Sequence, residues 1–488
     1  MTQSQLEKYL WGAATLLRGT IDAGDYKQYI FPLLFFKRIC DVYDEEFELA
    51  LADSDGDMEY AAFAEHHHFQ VPEHAHWNRV RETTTNVGMA LQEAMRAIEQ
   101  ANPDTLFGIF GDASWTNKER LSDATLTNLI EHYSQHKLSL SQVPDDKLGN
   151  AYEYLIKEFA DDSGHTAAEF YTNRTVVKLM TLIMDPQPGE SVYDPTCGSG
   201  GLLLNCALHL KEEGKEYRTL KLYGQEINLL TSAIARMNMF MHGIEEFHIV
   251  RGDTLANPAF LHHDELKTFN VILANPPYSI KAWDQKGFAN DPYGRNIWGT
   301  PPQGCADYAF QQHIQKSLDP KNGRSITLWP HGILFRDSEA DMRRKMIEED
   351  LVECVIGLGP NLFYNSPMEA CLLVTKTNKV PSRRGKILFI NAVHEVKQEK
   401  TMGFLEQRHI DNIFEAFTKF ENQDHFAALI SIEEVLANKG NMSVSLYAQP
   451  EKKDANPVLP FDEAFRNWEE SGKALRLSMS ELFQTLEN

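Results

Sequence analysis

The sequence lacks several features that would place it in other classes of protein. Its six cysteines are scattered without a Cys-x-x-Cys pair, which argues against zinc ribbons and a secreted disulfide framework. No apolar run approaches the roughly 20 residues of a membrane helix, and the start, MTQSQLEKYL, does not resemble a signal peptide. There is no internal repeat or low-complexity segment. These absences predict a soluble, cytoplasmic protein without membrane contact.

Positive charge is also scarce. The chain has 47 Lys and Arg residues against 70 Asp and Glu residues, a formal net charge of −23. Such a chain is repelled by a phosphate backbone unless its basic residues cluster or a partner supplies them. The acidic balance is therefore the main objection to a nucleic-acid substrate.

The 488 residues suggest two to four domains, at roughly 150 residues per domain. Residues 1–140 carry apolar residues at helical spacing, and the polar stretch 134–146 is the predicted linker. Between 141 and 430, short β-rich runs alternate with amphipathic stretches, which is typical of a parallel α/β sheet. The last segment, 431–488, is predicted to be a helical tail that docks a partner. The predicted strands are 191–194, 221–226, 248–253, 269–274, 325–329, 351–358, 370–375 and 386–390.

A glycine-rich turn follows the first predicted strand in SVYDPTCGSGGLLL, residues 191–204. The strand ends at Asp194, and Gly198, Gly200 and Gly201 would let the backbone approach a ligand at a helix N-terminus. The turn lacks both the GxGxxG pattern and the Lys-Ser/Thr of a P-loop, so an amino-acid carboxylate fits it better than a phosphate. A turn with purely structural duties is the alternative.

Two later strands also end in acidic residues. Glu226, in LYGQEIN, stands where an acid usually binds ribose hydroxyls in such sheets. Asp253, in HIVRGD, offers a carboxylate to an adenine amino group. Both positions also fit ordinary structural roles, a solvated glutamate and an aspartate that caps the next turn.

The most informative stretch is FNVILANPPYS, residues 269–279, in which an apolar strand runs into Asn-Pro-Pro-Tyr. An exocyclic adenine amine is a poor nucleophile because its lone pair is delocalised into the ring. The Asn275 side-chain oxygen and the Pro276 carbonyl can accept its two N–H bonds and direct the lone pair at a methyl group. Pro277 helps to stiffen the turn, and Tyr278 can stack on a flipped base. A proline pair that only ends the strand is the alternative.

The order of these motifs resembles the gamma arrangement of the amino-methyltransferase family. The matching segments are AEFYTNR (168–174), DPTCGSGG (194–201), QEIN (225–228) and NPPY (275–278). The helical region with LWGAATLLRG and YIFPLLFFKRI resembles the N-terminal domain of modification (M) subunits of type I restriction-modification enzymes. The resemblance covers nearly the whole chain. It implies a Rossmann-like methyltransferase sheet with helices on both faces, and adenine-specific N6 methylation of a flipped base in duplex DNA.

The resemblance also implies S-adenosyl-L-methionine as cofactor and assigns residues to it. Asn173 departs from the proline that the family often has, which puts only the local turn in doubt. Asn275 agrees with adenine, because cytosine-N4 relatives more often have serine there. The residues expected to bind the cofactor are Glu169, Phe170, Tyr171, Thr172, Asn173, Arg174, Asp194, Gly198, Ser199, Gly200, Gly201, Glu226 and Asp253.

In that family a separate specificity (S) subunit reads the DNA sequence, which would explain the acidic chain. The expected assembly has two M subunits per S subunit, and the sequence leaves open whether a restriction (R) subunit joins. No insertion after Tyr278 is large enough to recognise a target by itself. Lys281, Lys286 and Arg295 are expected to give the following loop a positive character suited to phosphate contact.

Two other functions stay open: a methyltransferase acting on RNA or protein glutamine, and a catalytically silent assembly scaffold. No metal site is predicted. The histidines of 65–76 lie among acidic residues without a second ligand cluster, which favours a solvated loop. Cys197 has no His or Asp partner by spacing and is interpreted as a small packing residue.

Overall fold

The computed structural model describes residues 1–162, 172–362, 369–399, 402–449 and 461–486. No helix in these ranges is long and apolar enough to cross a membrane. The helices are α1 (Gln3–Leu17), α2 (Lys27–Asp53), α3 (Met58–Ala61), α4 (Trp77–Arg81), α5 (Val87–Ala101), α6 (Pro103–Leu106), α7 (Asp123–Tyr133), α8 (Asp145–Asp162), α9 (Arg174–Met184), α10 (Gly201–Glu212), α11 (Leu229–Met241), α12 (Gln285–Ala289), α13 (Asp307–Lys316), α14 (Ala340–Glu348), α15 (Gln407–Lys419), α16 (Ile432–Ala437), α17 (Val444–Tyr447) and α18 (Phe461–Leu486). The strands are β1 (Ser191–Asp194), β2 (Lys221–Glu226), β3 (Phe247–Arg251), β4 (Leu261–His262), β5 (Glu265–Leu266), β6 (Val271–Ala274), β7 (Arg324–Pro330), β8 (Val352–Leu358), β9 (Ala370–Lys376), β10 (Lys386–Ala392), β11 (Lys397–Gln398), β12 (Gly403–Phe404) and β13 (Ala427–Ser431).

The N-terminal region is helical, as the spacing of its apolar residues predicts. Helix α1 begins at a capping box in which Thr2 and Gln5 satisfy each other's backbone N–H groups. Helix α2 buries nearly every residue of its first half, because α1, α5, α7 and α8 surround it in one apolar core. That core continues into Ile234 and Met237 of α11. The helical region and the sheet region therefore share buried apolar surface.

The predicted linker, 134–146, is bound to α2 by a buried arginine. Arg38 donates through Nη1 to the carbonyls of Leu138 and Val143, the latter at 2.9 Å. Its Nη2 donates to Asp145 Oδ1 at 2.7 Å. Charged side chains of α2 thus satisfy backbone groups of this segment, and it does not act as a loose tether.

The main sheet has nine strands in the described residues, in the order β13-β10-β8-β9-β7-β6-β1-β2-β3. Strands β3, β2, β1, β6 and β7 pair in parallel, as do β8 and β10, whereas β9 and β13 run antiparallel to their neighbours. Each predicted strand is present, and the predicted α/β fold class is confirmed. The sequence analysis missed β13, a half-exposed edge strand whose five residues, AALIS, give little periodic signal.

Helices cover both faces of this sheet. In β8, Cys354 and Ile356 face the core under α9, α10 and α15, whereas Val352 and Val355 face the core under α13, α14 and α16. Strands buried on both faces contain nearly continuous apolar residues, which made them recognisable in the sequence. Because β6, β1 and β2 are parallel neighbours, their carboxyl ends lie at one edge of the sheet.

Two compact units are distinguished, Met1–Ala448 and Gln449–Asn488. Helices α16 and α17 belong to the first unit, where Val435 and Val444 are buried. The described part of the second unit is α18, in which the rings of Phe465 and Trp468 lie 5.7 Å apart. The division at 140 and 430 stays a prediction.

The histidines of 65–76 are only partly solvated, with His68 and His74 exposed. His67 is buried, shares a 2.8 Å hydrogen bond with the Ala61 carbonyl and stacks on Tyr43. His76 lies 2.8 Å from Asp44 Oδ1. The expectation of a solvated loop is wrong for His67 and His76, because α2 supplies an aromatic ring and a carboxylate that hold them.

Candidate active site

The carboxyl edge of β1, β2 and β6 opens into a cleft. It brings the predicted catalytic asparagine together with the glycine-rich turn and the segment before α9. The residues that line it are Glu153, Thr172, Arg174, Val177, Asp194, Thr196, Cys197, Gly198, Ser199, Gly201, Leu202, Asn205 and Asn275. Of the predicted site residues that the structure describes, seven lie outside this lining set: Asn173, Gly200, Glu226, Asp253, Pro276, Pro277 and Tyr278.

The glycine-rich turn requires glycine at two positions. Gly198 and Gly200 have φ values of +53° and +81°. A Cβ at Gly200 would lie 3.0 Å from Met239 Cε, so the end of that side chain would have to shift. Within the described residues no side chain caps α10, whose first two residues, Gly201 and Leu202, line the cleft. The N-terminus of α10 can therefore bind an anionic group.

Residues from two other elements hold this turn in place. Asn238 of α11 donates through Nδ2 to the Ser199 carbonyl at 3.1 Å. Thr254 donates through Oγ1 to the Pro195 carbonyl at 2.5 Å. The sequence analysis missed both residues, because a contact between distant segments leaves no spacing signal.

Glu226 connects β2 to the glycine-rich turn. Its Oε2 accepts the Gly198 N–H at 3.1 Å, and its Oε1 accepts the Asn228 N–H at 2.9 Å. The side chain is buried, and burial raises the pKa of its carboxyl. Each oxygen retains a lone pair that can accept a ribose hydroxyl, so the predicted role and this structural role are compatible.

Asp253 is placed differently. Its side chain is exposed, and Oδ1 accepts the N–H groups of Leu255 at 2.9 Å and Ala256 at 3.2 Å. It therefore caps the turn after β3, the structural alternative that the sequence left open. A contact with a cofactor stays a prediction.

Asp194 is the most deeply buried acid of the cleft, with 1% of its surface exposed. Its Oδ1 accepts the Thr196 N–H at 3.0 Å. Burial raises the pKa of its carboxyl to about 8, and Glu226 adds to the shift. Burial also raises the pKa of the Cys197 thiol, so this residue stays protonated and is a poor nucleophile.

The N-terminus of α9 supplies the cation of the cleft. Arg174, the first residue of α9, lies with Nη2 2.6 Å from Oε2 of the buried Glu153. The sequence analysis missed Glu153, whose only signal is one carboxylate on the apolar face of α8. Asn173 caps α9 through Oδ1, which accepts the Thr175 N–H at 3.0 Å, at a φ of −53° that a proline could also adopt. Glu169, Phe170 and Tyr171 lie outside the described residues.

The Asn-Pro-Pro-Tyr turn directly follows β6. Asn275 donates through Nδ2 to Thr172 Oγ1 at 3.0 Å, and its Oδ1 accepts the Tyr278 hydroxyl at 2.6 Å. Burial holds the pKa of Tyr278 well above its usual value, so the hydroxyl remains a donor. Pro276 is buried and Pro277 is exposed. The turn thus presents an amide whose orientation is set by a contact at each end.

The predicted phosphate contact by Arg295 is wrong. Lys281 and Lys286 are exposed, but Arg295 has only 2% of its surface exposed. Its Nη2 lies 2.5 Å from Asp291 Oδ1, and its Nη1 donates to the Thr254 carbonyl at 2.8 Å. Asp291 neutralises the charge of Arg295 inside the protein, so Arg295 is not available to a phosphate. It instead supports the turn after β3.

A glycine-rich turn after β1, an acid after β2 and Asn-Pro-Pro-Tyr after β6 define the methyltransferase class on a Rossmann-like sheet. A profile of the family described as N-6 DNA Methylase matches residues 143–456, and a profile of the HsdM N-terminal domain matches residues 6–133. The first match spans more than half of the chain, which therefore belongs to the N-6 DNA methylase family.

Similar proteins are methylase subunits of type I restriction enzymes. The chain is 28% identical over 479 residues to the MjaVII subunit of Methanocaldococcus jannaschii, covering 93% of this chain and 79% of the relative. It is 27% identical over 529 residues to the MpnII subunit of Mycoplasma pneumoniae, covering 99% and 96%. The solved structure of a type I methyltransferase subunit from Streptococcus thermophilus superposes with a TM-score of 0.79 at 29% identity, covering 92% of this chain and 100% of that one. The resemblance to type I modification subunits is confirmed.

Proposed function

We propose that the chain is the methyltransferase subunit of a type I restriction-modification enzyme and methylates N6 of a flipped adenine in duplex DNA. The observation that carries the proposal is the position of Asn275. Its amide lines the same cleft as the glycine-rich turn and is oriented by Thr172 and Tyr278. Membership of the N-6 DNA methylase family supports the same reaction.

In this proposal the turn makes the adenine amine nucleophilic. Asn275 Oδ1 and the Pro276 carbonyl accept the two N–H bonds, which draws the nitrogen toward tetrahedral geometry. Oδ1 has two lone pairs, so it can accept one of these bonds while the Tyr278 hydroxyl stays in place. The Tyr278 ring can stack on the extruded base and offset part of the few kcal/mol that unstacking costs.

The cleft has the chemistry to hold S-adenosyl-L-methionine, the cofactor that we propose. This molecule carries a carboxylate, an ammonium and a sulfonium, and it supplies an electrophilic methyl group. The uncapped N-terminus of α10 and Arg174 suit the carboxylate, whereas Asp194 and Glu153 suit positive charge. A Cβ added at Gly201 would meet no atom of the described residues within 4 Å, so the backbone there adjoins open space. The residues proposed to hold the cofactor are Thr172, Asn173, Arg174, Asp194, Gly198, Ser199, Gly200, Gly201, Glu226 and Asp253, together with Glu169, Phe170 and Tyr171.

The proposed partners are a specificity subunit that reads DNA, in a ratio of two M subunits to one S subunit, and optionally a restriction subunit. The net charge of −23 supports a division of labour in DNA binding. The surface of helix α18 favours docking of a helical segment of a partner protein. Its exposed apolar residues follow a heptad-like spacing: Phe465, Trp468, Leu475 and Met479. We also propose a cytoplasmic location, because the proposed substrate is DNA.

The test compares the purified chain with the chain co-expressed with the proposed specificity subunit. The chain alone is expected to bind S-adenosylhomocysteine but to methylate duplex DNA negligibly at physiological salt. The assembly is expected to methylate one sequence. Ordinary turnover at a defined site by the isolated chain would contradict the division of labour.

A further inference from the structure

The residue after the catalytic turn adopts an unusual backbone conformation. Ser279 has a φ of +51°, in the left-handed region that favours glycine. Such a conformation costs a non-glycine residue free energy and persists only where the surroundings hold it. Ser279 is exposed, and its Oγ accepts a 3.4 Å hydrogen bond from Arg336 Nη1 rather than packing into the core. Its neighbours must therefore hold the backbone there.

Asp307 provides that hold. Its Oδ1 accepts the Ser279 N–H at 2.7 Å. Asp307 is the first residue of α13 and is completely buried, with 0% of its surface exposed. A charged acceptor makes a stronger hydrogen bond than a neutral one, and burial shields this bond from competing water. The exit of the catalytic turn is thereby attached to a helix of the rigid sheet domain.

A second layer fixes Asp307. Arg336 lies with Nη2 2.5 Å from Asp307 Oδ2, and its Nε lies 2.7 Å from Oε2 of the buried Glu339. Cys305 donates through Sγ to Glu339 Oε1 at 3.3 Å. The two buried carboxylates and the partly exposed arginine form a network, and one oxygen of Asp307 is directed at the exit of the catalytic turn.

The same cluster has the composition of a metal site, because ligand atoms of Cys305, Asp307 and Glu339 lie within 4.8 Å of one another. The guanidinium of Arg336 already supplies positive charge to both carboxylates. A cation would have to displace it. The arrangement therefore fits a positioning network better than a metal site.

We propose that Asp307, held by Arg336, is a positioning residue for the methyl transfer. It fixes the backbone of Ser279, and through it the Tyr278 hydroxyl that contacts Asn275. The effect on catalysis rests on the proposed function. The structural restraint, by which Asp307 holds the Ser279 backbone, rests on the contacts of this network alone.

The experiment compares three variants in the assembled enzyme. Asp307→Ala removes the acceptor. Asp307→Asn keeps an oxygen for the Ser279 N–H but loses the charge opposite Arg336. Glu190→Ala is the matched control, because it removes the carboxylate of a two-pronged arginine pair with Arg324, both contacts at 2.8 Å, at the opposite edge of the sheet.

The first readout is amide hydrogen exchange of the peptide that spans the turn. Pro276 and Pro277 carry no amide hydrogen, so the signal comes mainly from Tyr278 and Ser279. Asp307→Ala is expected to accelerate exchange there at least about tenfold, with Asp307→Asn intermediate and Glu190→Ala unchanged. Equal exchange in Asp307→Ala and Glu190→Ala would overturn the restraint, whatever the protein's activity.

The second readout is the single-turnover rate at saturating unmethylated duplex DNA, with calorimetric binding of S-adenosylhomocysteine. Asp307→Ala is expected to lose about tenfold or more in rate with cofactor affinity within about threefold, and Asp307→Asn to recover most of the rate. Accelerated exchange without a loss of rate beyond that of Glu190→Ala would overturn the positioning role. A wild-type enzyme that transfers no methyl group would instead refute the proposed function, and the exchange readout would still decide the restraint.

Discussion

The two sides of the cleft are built from different chemistry. The side of β1 and β2 carries the buried carboxylates Asp194 and Glu226, and burial raises the pKa of both. The side of β6 carries a neutral amide, two prolines and a phenol whose pKa is raised by burial. Carboxyl oxygens can accept hydrogen bonds from an ammonium and from ribose hydroxyls, whereas a weakly nucleophilic amine needs acceptors whose protonation does not change. The contrast predicts that changes on one side alter binding and changes on the other alter the rate.

The largest expected effect is on the β6 side. Asn275→Ala is expected to abolish methyl transfer while cofactor affinity stays within a few fold, because the amide acts on the amine and contacts the cofactor little. Single-turnover methylation and equilibrium binding of S-adenosylhomocysteine measure the two quantities. Retention of more than about a tenth of the rate would remove Asn275 from the mechanism.

On the opposite side, Glu226→Ala is expected to weaken cofactor binding roughly ten- to a hundred-fold, since two ribose hydroxyls lose a charged acceptor worth about 1.5–3 kcal/mol. The Gly198 N–H also loses its partner. Glu226→Gln, which keeps one acceptor oxygen, should fall between. Calorimetric titration decides, and an unchanged dissociation constant would leave Glu226 with its structural role only.

Asp194 gives the cofactor side a pH dependence. Its pKa rises from 3.8 to about 8 in the folded protein, so between these values the folded state holds a proton that the unfolded state has lost. The free energy of unfolding of the ligand-free protein therefore decreases as pH rises through this range, by an amount on the order of a few kcal/mol.

Asp194→Asn removes the ionisable group. The Tm of Asp194→Asn relative to that of the wild type should increase from pH 5 to pH 8. Its affinity for the cofactor should be lower than that of the wild type.

Asp253→Asn is the control for this effect. Asp253 also follows a strand of the sheet, but its side chain is exposed. Thermal scans of the three proteins in one buffer series measure the difference. A constant Tm offset for Asp194→Asn at all pH values would show that the buried carboxyl does not titrate as described.

The smallest expected effect separates the ring of Tyr278 from its hydroxyl. Tyr278→Phe removes the 2.6 Å hydrogen bond to Asn275 Oδ1 but keeps the stacking surface, so the rate should fall only a few fold. Tyr278→Ala also removes the ring and should lose about ten times more. Rates at saturating DNA for both variants test this order. Equal losses would assign the role of Tyr278 to the hydroxyl alone.

The strands and their functional ends were accessible from the sequence for a physical reason. Strands buried on both faces are nearly continuous apolar runs, and the residue at the end of such a run stands at the sheet edge, as Asp194 and Asn275 do. Glu153 and Asn238 were missed, because they reach the cleft and the glycine-rich turn from helices whose packing angle the sequence does not encode locally.

The error at Arg295 has a similar origin. Its place after the catalytic turn suggested a surface cation, whereas Asp291, four residues earlier, neutralises it in the interior. An acidic partner at i−4 was a signal in the sequence, but it is equally common on exposed helices. Burial decides between the two outcomes, and burial depends on the tertiary fold.

The most direct test of the account identifies the methylated product. The assembled enzyme is incubated with tritium-labelled cofactor and unmethylated duplex DNA, RNA or protein, and the nucleosides and amino acids are separated after digestion. The account predicts label in N6-methyldeoxyadenosine from DNA, and none with Asn275→Ala. Label in RNA, in glutamine or in N4-methyldeoxycytidine would contradict the assigned substrate, and no label in any acceptor would leave the chain a catalytically silent scaffold.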